Sequence, residues 1–265
     1  MAFLTKKKYL REVLGHELVF NDYHTFELRE KAYDALKDKE ILNKYAQCIA
    51  GDRRHAFMGA CCMSSIKAGI KKAGWGFISQ ETILASAPHK DLALTASIAH
   101  NFTDKNGVPY TLSCKDAIIP DQLFGIDYGD GDCRFFAVEF DRGTMPLTRK
   151  TFKLASILKK LLQYKSVSAT RAYSDKWGIP NLYVIFITTH NDPDGHNDTD
   201  RADHMVDLCR LLYPKGSNFM LFKAVQGFQA NHRTPKPMPF LFTDPYKRTG
   251  EVFWLTKREE QPVNL

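Results

Sequence analysis

Ile119-Pro-Asp-Gln-Leu-Phe-Gly-Ile-Asp-Tyr128, Gly129-Asp-Gly-Asp132 and Cys133-Arg-Phe-Phe-Ala-Val-Glu-Phe-Asp141 form the stretch that decides the fold. Two runs rich in aromatic and β-branched residues flank a Gly/Asp cluster, the pattern of an antiparallel hairpin with its turn at 129–132. Downstream, Thr148 to Lys165 reads as a helix, with Leu154, Ile157, Leu158 and Leu161 on one face. Asn181-Leu-Tyr-Val-Ile-Phe-Ile-Thr-Thr189 then has the short apolar run of a buried strand. Strand, helix, strand implies a parallel crossover. Thr199–Leu212 reads as a further helix and Asn218–Phe222 as a further strand.

Upstream, Phe57–Ala73 has helical periodicity and stops at Gly74, a favoured helix end, and Trp75–Leu84 reads as a strand. Residues 85–117 carry Pro88, Asn106-Gly107 and Pro109 and read as an excursion with a short hairpin. Thr25–Tyr45 reads as helical, the last helix and wing approach of a partial winged helix. The expected organisation is therefore a helical N-terminal segment over 1–50 and an α/β domain over 51–265. Its mixed sheet joins an antiparallel hairpin to a parallel strand and is flanked by helices.

The chain has 265 residues, 44% of them apolar and 25% charged, which excludes disordered and fibrous classes. The apolar run Leu182–Ile187 falls far short of the roughly 20 residues that cross a bilayer, so no membrane partner is expected. Met1-Ala-Phe-Leu-Thr-Lys-Lys-Lys8 lacks the apolar region of a secretory signal. A cytoplasmic location is the expectation, with the six cysteines reduced.

The net charge of +7 favours an anionic partner, most simply nucleic acid. It is concentrated at 142–176, where nine basic residues accompany one acid, Asp175. Arg142, Arg149, Lys150, Lys153, Lys160 and Lys165 are the candidate phosphate contacts. Within the expected helix, Arg149, Lys153 and Lys160 share a face distinct from the apolar one. The alternative is a solvated basic face, which many helices carry.

Asp121 opens the first hairpin strand, and Glu139 and Asp141 close the second on one face of the pleat. Carboxylates converging at a sheet edge suit a hard cation, Mg²⁺ or Mn²⁺. Asp121 and Glu139 are the candidate ligands. Such an ion polarises a phosphodiester and acidifies water. The alternative is exposed strand-end acids pairing with Arg142 and Arg149. A four-residue turn at 129–132 sets Asp121 opposite Phe140 rather than Glu139, so convergence requires a bulge or a different turn length.

The string Ile119-Pro-Asp-Gln-Leu-Phe-Gly-Ile126, with Arg134-Phe-Phe-Ala-Val-Glu-Phe-Asp-Arg-Gly-Thr144 and Leu161-Leu-Gln-Tyr164, resembles the replication-relaxation family of plasmid and mobile-element proteins. His55-Ala-Phe, Gly74-Trp75 with Glu81, and Phe240-Leu-Phe-Thr-Asp244 extend the resemblance over roughly 55–255. Pro-Asp followed by Glu-x on the next strand also resembles the PD-(D/E)xK nucleases. The resemblance implies a restriction-endonuclease-like core, a winged-helix partner domain, and metal-dependent nicking or relaxation of plasmid DNA. It implies a catalytic set of Asp121 and Glu139 with Asp141 assisting, and protein partners from a replication or mobilisation complex. Asp141 stands where the nuclease motif has lysine, so Lys153 or Lys160 is expected to bring that charge from the helix. The alternative is an inactive nuclease-like module that binds DNA or a partner.

His190–His204 is dense in metal-ligand side chains but misses the EF-hand spacing, and reads as a polar loop before an acidic helix start. Tyr164 reads as a packing residue rather than a nucleophile, and Cys61-Cys62 as core.

Overall fold

Five strands form the central sheet of the computed structural model, which describes residues 2–8, 10–13, 25–28, 31, 53–103, 107–189, 200–226 and 237–256. In chain order the elements are α1 (Ala2–Lys6), β1 (Leu10–Val13), β2 (Thr25–Leu28), α2 (Arg53–Lys72), β3 (Gly76–Ile78), α3 (Gln80–Ser86), β4 (Leu94–Thr103) and β5 (Pro109–Ile118). There follow β6 (Gln122–Asp127), β7 (Cys133–Asp141), α4 (Ile157–Thr170), α5 (Ala172–Trp177), β8 (Tyr183–Thr189), α6 (Arg201–Leu212), β9 (Met220–Val225) and α7 (Phe240–Thr243).

The sheet order is β3-β6-β7-β8-β9. The β3, β6 and β7 pairings are antiparallel, and β8 and β9 continue from β7 in parallel. This is the expected mixed α/β sheet flanked by helices. Period-two alternation sorts its side chains onto two faces. Leu123, Ala137, Phe186 and Phe222 pack with α4 and α6 on one face. Phe124, Phe136, Val138, Ile187 and Leu221 pack with α2 and α7 on the other. Phe136 stacks between Phe124 at 5.0 Å and Tyr183 at 5.5 Å. Such aromatic pairs add about 0.5–1.5 kcal/mol beyond their buried area.

The β6–β7 turn has three residues, not the expected four. Tyr128 N–H donates to the Asp132 carbonyl at 2.9 Å, enclosing Gly129, Asp130 and Gly131. All three have left-handed φ values of 87°, 54° and 80°, which two glycines and an aspartate can adopt at low cost. Gln122 therefore pairs with Val138, and one step beyond the ladder Asp121 falls level with Glu139 instead of Phe140. A one-residue slip changes which face every side chain meets, so this turn decides whether the acids converge.

The expected helix Thr148–Lys165 starts later, at Ile157, because the Ser156 side chain accepts from Lys159 N–H and caps it. Residues 142–156 form an irregular connection, tied down where Ile157 and Leu158 N–H groups donate to the Pro146 and Leu147 carbonyls. Arg149 and Lys153 therefore share no helix face with Lys160. Ile157, Leu158 and Leu161 are buried as expected, whereas Leu154 is exposed.

Residues 85–117 contain not a short hairpin but most of a long one, β4 paired with β5 over ten residues each. Leu94, Ala96 and Ile98 of β4 join the α4 core cluster. The hairpin thus covers a second side of α4, which explains why Lys159 and Gln163 are buried. Trp75–Leu84 is not one strand: β3 ends at Ile78, and Ser79 caps α3 by accepting from Thr82 N–H. The last strand lies at Met220–Val225 rather than Asn218–Phe222 because its register follows Val184–Thr189.

Thr25–Leu28, expected as helix, is a strand paired with Leu10–Val13. Apart from Lys31, the remainder of Thr25–Tyr45 and its winged-helix reading lie outside the described residues. The cysteines at 61, 62, 114, 133 and 209 are unpaired thiols. Among the described residues, no helix is long and apolar enough to cross a membrane.

Candidate functional site

Asp121 and Glu139 meet at the edge where β6 begins and β7 ends. Directly opposed residues of an antiparallel pair point to one face, with Cβ atoms roughly 4.5–5.5 Å apart. The Asp121 Oδ2 accepts from Phe140 N–H at 2.8 Å, which pins the carboxylate to the neighbouring strand. Its Oδ1 lies 3.1 Å from His55 Nε2. His55 belongs to α2, which packs on the other sheet face, and it reaches Asp121 because Asp121 stands just outside the first residue of β6. One turn along α2, Gly59 permits this approach: a Cβ there would meet the Phe140 ring at 3.0 Å. The His55 ring stands edge-on to the same phenyl at 6.2 Å.

Glu139 is 1% exposed. An unpaired carboxylate at that depth costs several kcal/mol, and α4 supplies the compensation. Lys160 Nζ donates to Oε2, and the Tyr164 hydroxyl donates to Oε1 at 2.6 Å. Residues four apart share a helix face, so one face of α4 delivers both donors. Burial pushes the Glu139 carboxyl above its ordinary pKa, against the pull of Lys160. Burial also works against the Lys160 ammonium, but the Glu139 and Asp121 carboxylates outweigh it and hold its pKa above the usual lysine value. The buried Tyr164 phenol is pushed well above its usual range, by burial first and Glu139 second.

Asp141, two residues beyond Glu139, faces the same way but does a different job. Its Oδ2 accepts from Thr188 Oγ1 at 2.8 Å and from Arg201 Nε. Arg201 also donates to the Met145 carbonyl in the connection leading to α4. Asp141 and Arg201 are 6% exposed each, a buried ion pair beneath the site.

Of the candidate phosphate contacts, Lys160 turns into the site. Lys165 donates to the Leu212 carbonyl at 2.9 Å and lies over the Tyr213 ring, joining α4 to the end of α6. Arg149, Lys150 and Lys153 are exposed on the 142–156 connection. Arg149 is braced there by donating to the Ala155 carbonyl at 2.9 Å. Arg142 is half-buried and close enough to oppose the charge on His55. In the His190–His204 stretch, residues 190–199 lie outside the described residues. Asp200 and Asp203 form the capping box of α6 and both pair with Lys247.

His55 is the residue that sequence reasoning missed. A lone histidine in the first turn of a helix carries no periodic or motif signal, and only the His55-Ala-Phe string touched it. Tyr164 was legible as a packing residue, and its four-residue spacing from Lys160 was the available sign of a shared polar target.

The Asp121 hydrogen bond raises the His55 pKa, against burial. For Asp121, burial opposes ionisation, but His55 and Lys160 outweigh it and lower the pKa. The His55 contribution to stability is complete below the unfolded histidine pKa of roughly 6.5 and is lost as pH rises through the raised folded value. The Asp121 contribution is complete above roughly pH 4 and is lost as pH falls through the depressed folded value. His55→Gln is therefore expected to be most destabilising between roughly pH 4 and 6.5, with the deficit shrinking in alkali. Urea midpoints of both proteins at acidic and alkaline pH measure this, and a deficit that grows with pH contradicts the pairing.

Among the described residues, no group of three or more His, Cys, Asp or Glu side chains is arranged to hold a metal ion. Asp121 and Glu139 nevertheless offer the hard oxygen donors that Mg²⁺ and Mn²⁺ prefer. Mg²⁺ commonly takes one or two carboxylates and fills its remaining positions with water and substrate phosphate. The donor set fits that mode of binding. Comparisons of the chain with protein-family models, with curated proteins and with solved structures find no match.

Proposed function

We propose that the protein is a DNA-processing enzyme with a restriction-endonuclease-like core that nicks phosphodiester bonds with Mg²⁺ or Mn²⁺. The resemblance of its strand motifs to the replication-relaxation family supports a role in plasmid or mobile-element replication or transfer. One observation carries the reading: Asp121 stands level with Glu139, and Lys160 is bonded to Glu139 although the strand motif itself has Asp141 in place of lysine. Lysine charge thus reaches the carboxylates from α4 instead of from β7. Asp121 and Glu139 are the residues that would hold the cation. When bound, it supplies Lewis acidity to the phosphate and lowers the pKa of a water. Lys160 neutralises the buried carboxylate, and the Asp141–Arg201 pair holds the connection beside it. Exposed Arg149, Lys150 and Lys153 draw the DNA backbone toward the site.

A second reading, an inactive DNA-binding module, is favoured by the engagement of both Glu139 oxygens by Lys160 and Tyr164. Conversion of supercoiled to open-circular plasmid in Mg²⁺ or Mn²⁺ decides between the two. Absence of nicking on supercoiled, linear and single-stranded DNA leaves only the binding module. For either reading, the Arg149→Ala, Lys150→Ala, Lys153→Ala triple variant should weaken binding to unrelated sequences alike. Each lost phosphate contact should reduce the magnitude of the log–log salt slope by about 0.9 on duplex DNA. An unchanged affinity and slope would remove the basic connection from the DNA-binding surface.

A further inference from the structure

We infer that His55 is a positioning residue for the cation site, an outer partner that orients the Asp121 carboxylate; this rests on the proposed metal-dependent reading. Each Asp121 oxygen has a separate donor: Phe140 N–H holds Oδ2 at 2.8 Å, and His55 Nε2 stands 3.1 Å from Oδ1. The backbone bond alone leaves the carboxylate free to turn about it. The second donor, from a different element and the other side of the sheet, removes that rotation. The imidazole is itself held, with its ring against Phe140 at the close approach that Gly59 allows. The device thus runs from α2 through the imidazole to a carboxylate on the edge of β6. A carboxylate oxygen has lone pairs left after accepting one hydrogen bond, so the His55 contact and a cation can share Asp121. Glu139 has an analogous outer partner in Tyr164, so each acid is held by a helix side chain, Asp121 from α2 and Glu139 from α4. Loss of such outer partners typically weakens metal affinity by about 10–100-fold without removing a ligand.

The test is a titration of the whole chain with Mn²⁺, the free ion being followed by its electron paramagnetic resonance signal. Wild type, His55→Ala, His55→Gln and Asp121→Asn are compared, with the fold of each verified by circular dichroism. His55→Ala should raise the Mn²⁺ dissociation constant by about 10–100-fold. His55→Gln, which keeps an N–H donor near the Nε2 position, should restore most of the affinity. Equal Mn²⁺ affinity in wild type and His55→Ala, with Asp121→Asn impaired, overturns the positioning role and leaves the cation site standing. Failure of His55→Gln to improve on His55→Ala also overturns it, because a donor at that position would then be irrelevant. Wild type that takes up no Mn²⁺ at millimolar concentration overturns the metal-dependent reading and the inference with it.

Discussion

On the proposed metal-dependent reading, Glu139→Gln should lower Mn²⁺-dependent nicking of supercoiled DNA by about 100- to 1,000-fold and leave DNA binding intact or tighter. The size follows from what the carboxylate contributes. A ligand that fixes a catalytic cation is worth several kcal/mol of transition-state stabilisation, and about 1.4 kcal/mol corresponds to each factor of ten in rate. The substitution preserves shape, but the amide N–H₂ must face one of the two donors, Lys160 or Tyr164, and Lys160 loses its counter-charge, so the fold of the variant is verified by circular dichroism before activity is compared. Binding improves or holds because removing a negative charge near the phosphate path reduces repulsion. Single-turnover conversion to open circles, read alongside a salt-matched binding isotherm, measures both effects. A variant that nicks within tenfold of wild type removes Glu139 from the chemistry.

Arg201→Leu costs about 3–5 kcal/mol of folding stability, the range for breaking a buried ion pair from one side. The leucine leaves Asp141 in the core with, among the described residues, the Thr188 hydroxyl as its remaining donor, and also removes the donor to the Met145 carbonyl. Adding Asp141→Asn to Arg201→Leu should recover a substantial part of the loss, since a neutral amide tolerates that depth better than an orphaned carboxylate. Urea unfolding of the two single variants and the double isolates the pair term in a double-mutant cycle. A single-variant loss below about 1 kcal/mol contradicts a buried structural pair.

Elements whose signal is local were the legible ones. The β6–β7 hairpin follows from two aromatic and β-branched runs around a Gly/Asp turn, the β8 strand from a continuous apolar run, and the α2 and α6 helices from helical patterning, and each appears within a few residues of its expected span. Residues 148–156 carry a helical signal because Leu154 continues an apolar period, while Ser156 competes as a cap. The cap bond to Lys159 N–H, together with the Pro146 and Leu147 carbonyl contacts, wins over the period. The long β4–β5 hairpin gives a weak local signal because its outer residues are mostly small and polar, and its apolar residues find their partners far along the chain, in α4 and in Phe152.

The sequence by itself determined which acids stand at the strand ends, that lysines crowd the segment after them, and that a mixed α/β sheet holds both. Tertiary structure decided which of these groups meet. A three-residue turn, rather than four, brought Asp121 level with Glu139, because pleat parity converts one residue of register into a change of face. Packing of α4 beneath the β4–β5 hairpin turned Lys160 and Tyr164 toward Glu139, and burial of Asp141 drew Arg201 to it from a residue 60 positions away. His55 entered by the same route: an unpaired carboxylate at a sheet edge gains from any donor within reach, and the chain distance from which that donor comes leaves no mark on local sequence.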